Sequence, residues 1–477
     1  MGVKTMSETS ASRQALLECI RQLLRRWRSG SALDLSPLTR LRVCRTLAFQ
    51  SGPADVARQL LAQALAALQE RNRTAGQLLQ ERYLEHLDVK QLARRFKVSE
   101  HHYYRLQNDA LNQLVDLILE QERDAQARHR LAVDARLEPP MYRQLFGVSQ
   151  QQRALRAALE REDEPRIVSL EGMGGIGKTS LADSLVRDLI SSSRFYDMAW
   201  VSARQQTFVP SAGVQPARRP ALDTPALVDA LLSQLDGAGL SSLPPQQKLA
   251  TLTGRFKSYP YLVVIDNLET LGDYQALLPA LNDLVNPSKV LLTSRDSLHA
   301  YSGVFCVKVK ELDRDDVFAL IQHEAAARGL RALSDASQEQ LESVYQVVGG
   351  NPLAIKLVIG QTFVLPLSQV LDNLRQAQGK STDELYTFIY WQAWNKLSAA
   401  GRQALLAMPL AVPQGSAFLH LAAVSGLDAG ELSQALDQLA AQSLVEVSGT
   451  LEERRYRIHR LTETFLITEV IKWQSSS

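Results

Sequence analysis

A glycine-rich stretch that ends in a lysine and two hydroxyl residues carries the clearest chemistry in this sequence. Residues 169–180 read SLEGMGGIGKTS, and the part from Gly172 to Thr179 fits the pattern GxxxxGK[ST]. Glycines let successive backbone N–H groups point inward at phosphate oxygens, and the N-terminus of a following helix adds partial positive charge. The stretch follows the apolar run RIVSLEG and precedes the helical pattern TSLADSLVRDL. The sequence therefore predicts a phosphate-binding loop between a strand and a helix.

Single residues of this loop have separate predicted roles. We expect the Lys178 ammonium group to neutralise the β- and γ-phosphates, and the Thr179 hydroxyl to be a ligand of Mg²⁺. The other residues of the loop that we expect to contact the nucleotide are Gly172, Gly174, Gly175, Ile176, Gly177 and Ser180. The expected cofactors are ATP or ADP with Mg²⁺.

A phosphate loop needs a second metal ligand, normally an aspartate at the end of a neighbouring buried strand. The stretch YLVVIDNLET supplies Asp266 after five apolar strand residues, which places it at the carboxyl edge of a parallel sheet. We expect Asp266 to be catalytic and to bind the metal. The next residue is Asn267, where many hydrolytic relatives carry a second acid, and Glu269 is close by. We therefore expect slow ATP hydrolysis, which suits a switch better than a motor.

A third strand pattern, KVLLTSRD, places Thr293, Ser294 and Arg295 at its end. An arginine there can stabilise the charge of a γ-phosphate and loses that contact when only a diphosphate remains. We assign Arg295 this catalytic and sensing role, with a plain surface arginine as the alternative.

The elements around these residues alternate between strands and helices. The runs RIVSL, MAWVSA, YLVVID, KVLLTS and VFCVKV are separated by helix-like segments, which predicts a mostly parallel sheet with helices on both faces. Residues 12–70 have apolar residues at helical spacing, and the helical pattern stops near Glu138–Pro140. After Asp313 the pattern is helical again, except for a late two-stranded hairpin formed by SLVEVSG and RRYRIH.

Composition limits the class of protein. The 477 residues are 45% apolar, which favours several soluble domains. The net charge is +2, yet residues 1–130 carry 21 Lys and Arg against 14 Asp and Glu, a balance that permits nucleic-acid contact there. No run approaches the roughly 18–20 apolar residues of a membrane helix, and no secretory signal pattern is present, so we expect a cytoplasmic protein without membrane contact. Cys19, Cys44 and Cys306 lie far apart and are interpreted as core thiols.

Six ordered stretches resemble one family. GMGGIGKTSLA, MAWVSA, LVVIDNLE, VLLTSRD, GGNPLAIKLVIG and YRIHRLTETFL are similar in order and spacing to the NB-ARC ATPases. These belong to the STAND class of signal-transduction proteins, which includes apoptosome proteins, plant resistance proteins and bacterial NLR-like proteins. The resemblance covers roughly Leu145 to Ile471. It implies that Pro352 of the Gly-x-Pro motif packs on the adenine and that His459 reads the β-phosphate of ADP. Ile458 and Arg460 replace the methionine and aspartate that flank this histidine in the family.

A segment at about 74–120 resembles region 4 of sigma-type RNA polymerase factors. Its pattern predicts a helix-turn-helix with a first helix from Val89 to Phe96 and with Ser99 capping a second helix. The second helix carries His101, His102, Tyr103 and Arg105, and the basic residues near the turn are Arg94, Arg95 and Lys97. Either this surface binds DNA, with the second helix in the major groove, or it is an adaptor that recruits an effector or RNA polymerase.

Together these features predict a multidomain protein. The predicted parts are an all-α N-terminal domain (1–135), an α/β P-loop nucleotide-binding domain (136–311), a helical ARC subdomain (312–395) and a winged-helix domain (396–477). The resemblance implies an ATP/ADP switch with a closed ADP-bound monomer, ATP-driven self-assembly that clusters the N-terminal domains, and a role in bacterial defence or stress signalling. It also leads us to expect a separate sensor or effector protein, a sensor in a longer protein, or an N-terminal region that both senses and signals. The alternatives are a nucleotide-controlled DNA-binding regulator and a scaffold that holds nucleotide without turnover.

Overall fold

The computed structural model describes residues 3–27, 33–47, 52–192, 194–203, 206–209, 213–216, 222–236, 243–268, 271–375, 390–391, 393–410, 415–442, 444–450, 453–458, 460–466 and 470. The chain divides into two compact units. One contains Met1–Val133 with Ile190–Tyr196, and the other contains Asp134–Leu189 with Asp197–Ser477. Among the described helices, none combines the length and the apolar composition that crossing a bilayer requires.

The first unit is helical, as predicted. Its helices are α1 (Val3–Arg25), α2 (Ser36–Thr39), α3 (Arg42–Leu47), α4 (Pro53–Arg71), α5 (Arg73–Leu79) with a π-turn at Gln80–Leu84, α6 (Val89–Arg95) and α7 (Glu100–Asp134), whose last residue is assigned to the second unit. The long α7 buries Ala110, Leu111, Leu114, Val115 and Ile118. Because these positions recur every three to four residues, they form one apolar stripe that packs against the helices before it.

A short turn joins α6 to α7. Asp88 caps α6 in a capping box with Gln91, and the Ser99 hydroxyl accepts a hydrogen bond of 3.2 Å from the His102 N–H. Lys97 has a φ of +54° in this turn. Tyr103 is fully buried and its ring lies 6.5 Å from that of Phe96, so this tyrosine belongs to the core and not to the exposed face.

The second unit is built on a five-stranded sheet in the order β2–β5–β6–β1–β7, and every pairing is parallel. The strands are β1 (Ile167–Glu171), β2 (Asp197–Ser202), β5 (Tyr261–Leu268), β6 (Lys289–Ser294) and β7 (Val304–Lys308), and a separate hairpin comprises β3 (Gln206–Val209) and β4 (Gly213–Pro216). The flanking helices are α8 (Ser149–Glu160), α9 (Lys178–Leu189), α10 (Thr224–Asp236), α11 (Pro245–Ser258) and α12 (Leu271–Leu284). All five predicted strands and their parallel arrangement are confirmed. Every residue of β1 and β6 is buried, as expected for a sheet covered on both faces.

A helical segment follows the sheet. It contains α13 (Arg314–Ala327), α14 (Arg331–Ser334), α15 (Gln338–Val348), α16 (Pro352–Gln361) and α17 (Leu367–Arg375). Side-chain caps begin three of these helices: Asp313 caps α13, Ser337 caps α15 and Asn351 caps α16. The hydrophobic face of α16, including Ile355 and Val358, is buried in the core of this segment.

The remaining part, residues 396–470, is called the C-terminal lobe here. Its helices are α18 (Ala399–Ala407), α19 (Phe418–Ser425), α20 (Ala429–Ala441) and α21 (Arg460–Phe465), and its strands are β8 (Ser416–Ala417), β9 (Val445–Gly449) and β10 (Arg454–Ile458). The predicted late hairpin is confirmed as the antiparallel pair β9–β10. Strand β8 pairs with the other edge of β10. The sequence did not reveal it because two residues are too short for an alternating pattern.

Candidate nucleotide-binding site

The glycine-rich loop lies between β1 and α9, as the sequence predicts. Gly172, Gly175 and Gly177 have φ values of +150°, +72° and +99°, a region of backbone space that favours glycine. A Cβ atom on Gly175 would lie 2.9 Å from the Cβ of Leu353, so this position also needs glycine for space. The side chain of Ile176 is 4% exposed and packs inside the protein, which leaves its backbone for contact with a ligand. The loop therefore has the backbone form of a phosphate cradle.

Lys178, the first residue of α9, points back over this loop. Its Nζ atom donates hydrogen bonds of 2.6 Å to the Gly172 carbonyl oxygen and 2.8 Å to the Met173 carbonyl oxygen. The ammonium group is thus held at the mouth of the loop, where anionic phosphates are expected.

Thr179 and Asp266 are brought together although they are 87 positions apart in the chain. The Thr179 hydroxyl donates to Oδ1 of Asp266 over 2.9 Å, and the Thr293 hydroxyl donates to the same oxygen over 2.6 Å. Asp266 is 8% exposed at the carboxyl end of β5. A hydroxyl and a carboxylate side by side are hard oxygen donors of the kind that Mg²⁺ shares with nucleotide phosphates. The donor set therefore fits the predicted metal, and Thr179 and Asp266 would be its protein ligands.

A β-bulge shapes the backbone just after this aspartate. Between Ile265 and Leu268, β5 contains one more residue than the facing part of β6. Asn267 lies in the bulge with a φ of +77°. Its N–H donates to the Thr293 hydroxyl over 2.7 Å, and its Nδ2 atom donates to the Ala203 carbonyl oxygen over 3.3 Å. The Asn267 amide is thus used in holding backbone, and Glu269, the nearby acid, lies outside the described residues.

Arg295 follows β6 directly and its side chain is half-buried. The loop after it is fastened to β1 by Glu171, whose carboxylate accepts bonds of 2.7 Å from the Ser297 hydroxyl and from the Leu298 N–H. Burial raises the pKa of Glu171, but hydrogen bonds from the Cys306 thiol, the Ser297 hydroxyl and the Leu298 N–H together outweigh it and hold the pKa below its usual value. Glu171 is the last residue of β1, the strand that leads into the phosphate loop. It therefore fixes the position of the loop after β6, which begins with Arg295.

The helical segment meets the phosphate loop at the Gly-x-Pro motif. Pro352 is the first residue of α16, and the side chain of Asn351 caps that helix by accepting bonds from the Leu353 and Ala354 N–H groups. The Nδ2 atom of the same asparagine donates to the Gly174 carbonyl oxygen over 3.1 Å. Asn351 is 2% exposed. Sequence reasoning missed it, although an asparagine directly before a helix-starting proline signals a cap.

One open cleft borders these residues. It has about 360 Å³ of empty space, and its lining includes Thr179, Ser180, Trp200, Asp266 and Arg457. The last of these comes from β10 of the C-terminal lobe and was not predicted as a site residue. His459 lies outside the described residues.

Comparisons with known proteins agree with this geometry. A family model described as the NB-ARC domain matches residues 148–331. The transcription activator GutR of Bacillus subtilis is 23% identical over 322 residues, which cover 61% of this chain and 36% of that protein. A disease resistance protein of Arabidopsis thaliana is 28% identical over 227 residues, 46% of this chain and 24% of that protein. The chain spans about a quarter to a third of the length of these relatives.

A solved structure is also similar to this chain. It is a STAND protein with a tetratricopeptide repeat sensor from Pyrococcus horikoshii, with a TM-score of 0.46 and 16% identity over 70% of this chain and 43% of that one. The phosphate loop, the buried aspartate beside its threonine and the match of the family model all fall in the same stretch of sequence. Residues 148–331 are thus similar to NB-ARC domains, which supports an NB-ARC-type nucleotide-binding site in this stretch of the chain.

Proposed function

We propose that this protein is a signalling switch controlled by exchange of ADP for ATP. The observation that carries the proposal is the hydrogen bond from Asn351 to Gly174, because it joins the helical segment directly to the phosphate loop. If exchange of the nucleotide moves this loop, the contact between the loop and the start of α16 changes as well. Such a contact is what a nucleotide needs in order to favour one arrangement of the domains over another.

The chemistry of the site supports tight binding with slow turnover. Lys178 and the loop amides would hold the phosphates, and Thr179 and Asp266 would hold Mg²⁺, which neutralises phosphate charge when bound. Arg295 would contact the γ-phosphate from the end of β6, and Pro352 would pack on the adenine. The Asn267 amide donates to a backbone carbonyl and carries no charge, so it is a poor base for an attacking water. Slow hydrolysis lets the ATP-bound state last long enough to signal.

In the proposed cycle, the ADP-bound protein is a closed monomer. The segment 312–395 is the ARC subdomain and the C-terminal lobe is a winged helix, in which His459 contacts the β-phosphate. ATP favours release of this lobe and assembly of several chains through their nucleotide-binding domains. To change the closed fraction from 99% to 1%, the two nucleotides must differ about 10⁴-fold in their preference for the two states. The assembled N-terminal domains would recruit an effector, in defence or in stress signalling, after a trigger sensed by another protein or domain.

The experiment is a measurement of ADP affinity and of phosphate release in the wild type, Lys178→Ala and Asp266→Ala. We expect Lys178→Ala to lose about 100-fold in affinity, since it removes the charged hydrogen-bond donor of the loop. Asp266→Ala should bind ADP but lose phosphate release. The matched control is Lys257→Ala, because that lysine also donates to a backbone carbonyl, that of Val285, but lies on α11. Calorimetry that shows unchanged ADP affinity in Lys178→Ala would refute the assignment of the nucleotide-binding site. If the wild type binds nucleotide normally but releases no phosphate, the protein is better described as a scaffold that holds nucleotide without turnover.

A second function rests on the exposed face of α6 and α7. Its exposed basic and imidazole side chains are Lys90, Arg94, Arg95, Lys97, His101, His102 and Arg105, of which Arg95 pairs with Glu81 over 3.0 Å. A lysine and arginine cluster at the start of a helix suits contact with DNA phosphates. One similar protein, GutR, is called a transcription activator. This surface supports a DNA-binding regulator, or an adaptor for RNA polymerase, whose clustering is set by the nucleotide.

The two outputs are separated by a binding titration with duplex DNA. If DNA is the partner, fluorescence anisotropy should show binding that weakens steeply as salt rises, and Arg94→Glu with Arg105→Glu should abolish it. Arg123→Glu is the control, since that arginine is an exposed residue of α7 that lies 18 positions, about 27 Å, further along the helix than Arg105. Absence of binding to any duplex at low salt would leave the adaptor as the output.

A further inference from the structure

The connector between α7 and α8 is held along its length by side chains of the second unit. This connector, residues 134–142, is the chain connection from the last residue of α7 to the nucleotide-binding domain. Arg187 of α9 forms an ion pair of 3.1 Å with Asp134. Arg136 donates to Oδ1 of Asp197 over 2.8 Å and to the Met198 carbonyl oxygen over 2.6 Å. The start of the connector is thus attached to the nucleotide-binding domain itself.

Its second half is attached partly to α9, because the Glu138 carbonyl oxygen accepts from Arg187 over 2.9 Å and the Tyr142 hydroxyl donates to Asp183 over 2.8 Å, and partly to segments that the proposed cycle moves. Arg457 of β10 donates from Nη1 to Oε2 of Glu138 and from Nη2 to the Pro139 carbonyl oxygen, each over 2.7 Å. Lys356 of α16 donates over 3.4 Å to the carbonyl oxygen of Met141. The C-terminal lobe and the helical segment therefore both contact this short stretch.

Arg457 also lines the cleft that contains Thr179 and Asp266. Its side chain is only 11% exposed, and its planar guanidinium group uses two different nitrogens to hold a carboxylate and a carbonyl. A residue with these contacts belongs at once to the lining of the nucleotide cleft and to the attachment of the connector. We propose that residues 134–142 form a strap that Arg457 fastens when the C-terminal lobe is closed, and that departure of the lobe on ATP binding unfastens it.

The consequence is mechanical and rests on the proposed function. Fastened at Asp134, Arg136, Glu138 and Pro139, the strap has little freedom. Once Arg457 leaves, the Glu138 carboxylate and the Pro139 carbonyl lose this partner, and the stretch from Pro139 to Met141 gains freedom between the contacts that Glu138 and Tyr142 keep with α9. Conformational entropy opposes the ordering of the strap, so loss of a charged contact that uses two nitrogens is enough to favour the unfastened state. The strap then transmits the state of the C-terminal lobe to the chain that leads to α7.

Hydrogen exchange of the connector amides, followed by mass spectrometry in ADP, tests this. In Arg457→Ala we expect the amides of Glu138, Met141 and Tyr142 to exchange at least tenfold faster than in the wild type, and the amides before Glu138 to exchange at the wild-type rate. Arg455→Ala is the matched control, because Arg455 lies on the same strand but pairs with Glu453 over 2.6 Å. Its connector should exchange as in the wild type. Equal exchange rates in Arg457→Ala and the wild type would overturn the proposal.

Two additions keep the test decisive. Peptides from α20 report whether the C-terminal lobe is still folded in Arg457→Ala. The swapped pair Glu138→Arg with Arg457→Glu should recover protection of the connector, and exchange as fast as in Arg457→Ala would overturn the ion pair as the fastener. Calorimetry on the same wild-type sample distinguishes a failure of the proposed function from a failure of the strap proposal. If ADP does not bind, the proposed function fails, whereas the comparison of variants without nucleotide still tests the strap.

Discussion

Asn351 offers a sharp test of the link between the helical segment and the phosphate loop. Its amide does two things: the oxygen caps α16 and the nitrogen holds the Gly174 carbonyl. Across a trans peptide the carbonyl and the next N–H point in opposite directions, so this bond directs the N–H of Gly175 away from α16. Loss of the cap costs about 1 kcal/mol, and loss of the buried hydrogen bond costs about 1 kcal/mol more. Asn351→Ala should therefore lose about 2 kcal/mol of stability.

Serine separates the two roles. A serine at this position still caps the helix, but its hydroxyl is one bond shorter and does not reach Gly174. Calorimetry should show that Asn351→Ser binds ADP about fivefold more weakly, which corresponds to about 1 kcal/mol. Ser337→Ala, which removes the cap of α15, should lower thermal stability without changing ADP affinity. Wild-type affinity in Asn351→Ser would refute the idea that this bond orients the loop.

Three further predictions concern the loop, the metal and pH. In Gly177→Ala the new methyl group has open space, but the alanine must adopt a φ of +99°. Thermal unfolding should therefore show that the free energy of unfolding falls by about 1–2 kcal/mol. Unchanged stability would contradict the left-handed backbone conformation of Gly177. Asp266→Asn should keep ADP affinity without magnesium but lose any gain in ATP affinity when Mg²⁺ is added, and an unchanged gain in a magnesium titration would remove Asp266 as a ligand. Because the pKa of Glu171 is lowered by folding, its contribution to stability is complete above its usual pKa of 4.5 and is lost as pH falls through the lowered value. The difference in melting temperature between wild type and Glu171→Gln should therefore shrink below about pH 4.5, and a gap that stays constant down to pH 3 would contradict the hydrogen bonds to Glu171.

Much of the nucleotide-binding domain was predictable because its signals are local. The loop pattern, the five apolar runs and Asp266 at a strand end follow from the order of residue types, and the parallel sheet brings them to one edge. The close approach of Thr179 to Asp266 follows from that topology. Asn351 and Arg457 were missed for the same physical reason. Their importance comes from partners 177 and 319 positions away, Gly174 and Glu138, and no local pattern records such contacts.

Local spacing also misled in one place. Tyr103 follows two histidines in the segment predicted to read DNA, but α7 turns it into the core, where its ring packs near Phe96. The β-bulge at Asn267 could not be predicted either, since it depends on the count of residues in two strands that are distant in sequence.

In the proposed switch, the terminal phosphate of the bound nucleotide decides whether the domains stay closed. The most direct measurement is the mass of the wild-type chain by light scattering, at one protein concentration, with Mg²⁺ and either ADP or a non-hydrolysable ATP analogue. We expect the mass of one chain with ADP and a multiple of it with the analogue. Equal masses in the two samples, with both nucleotides shown to be bound, would contradict it.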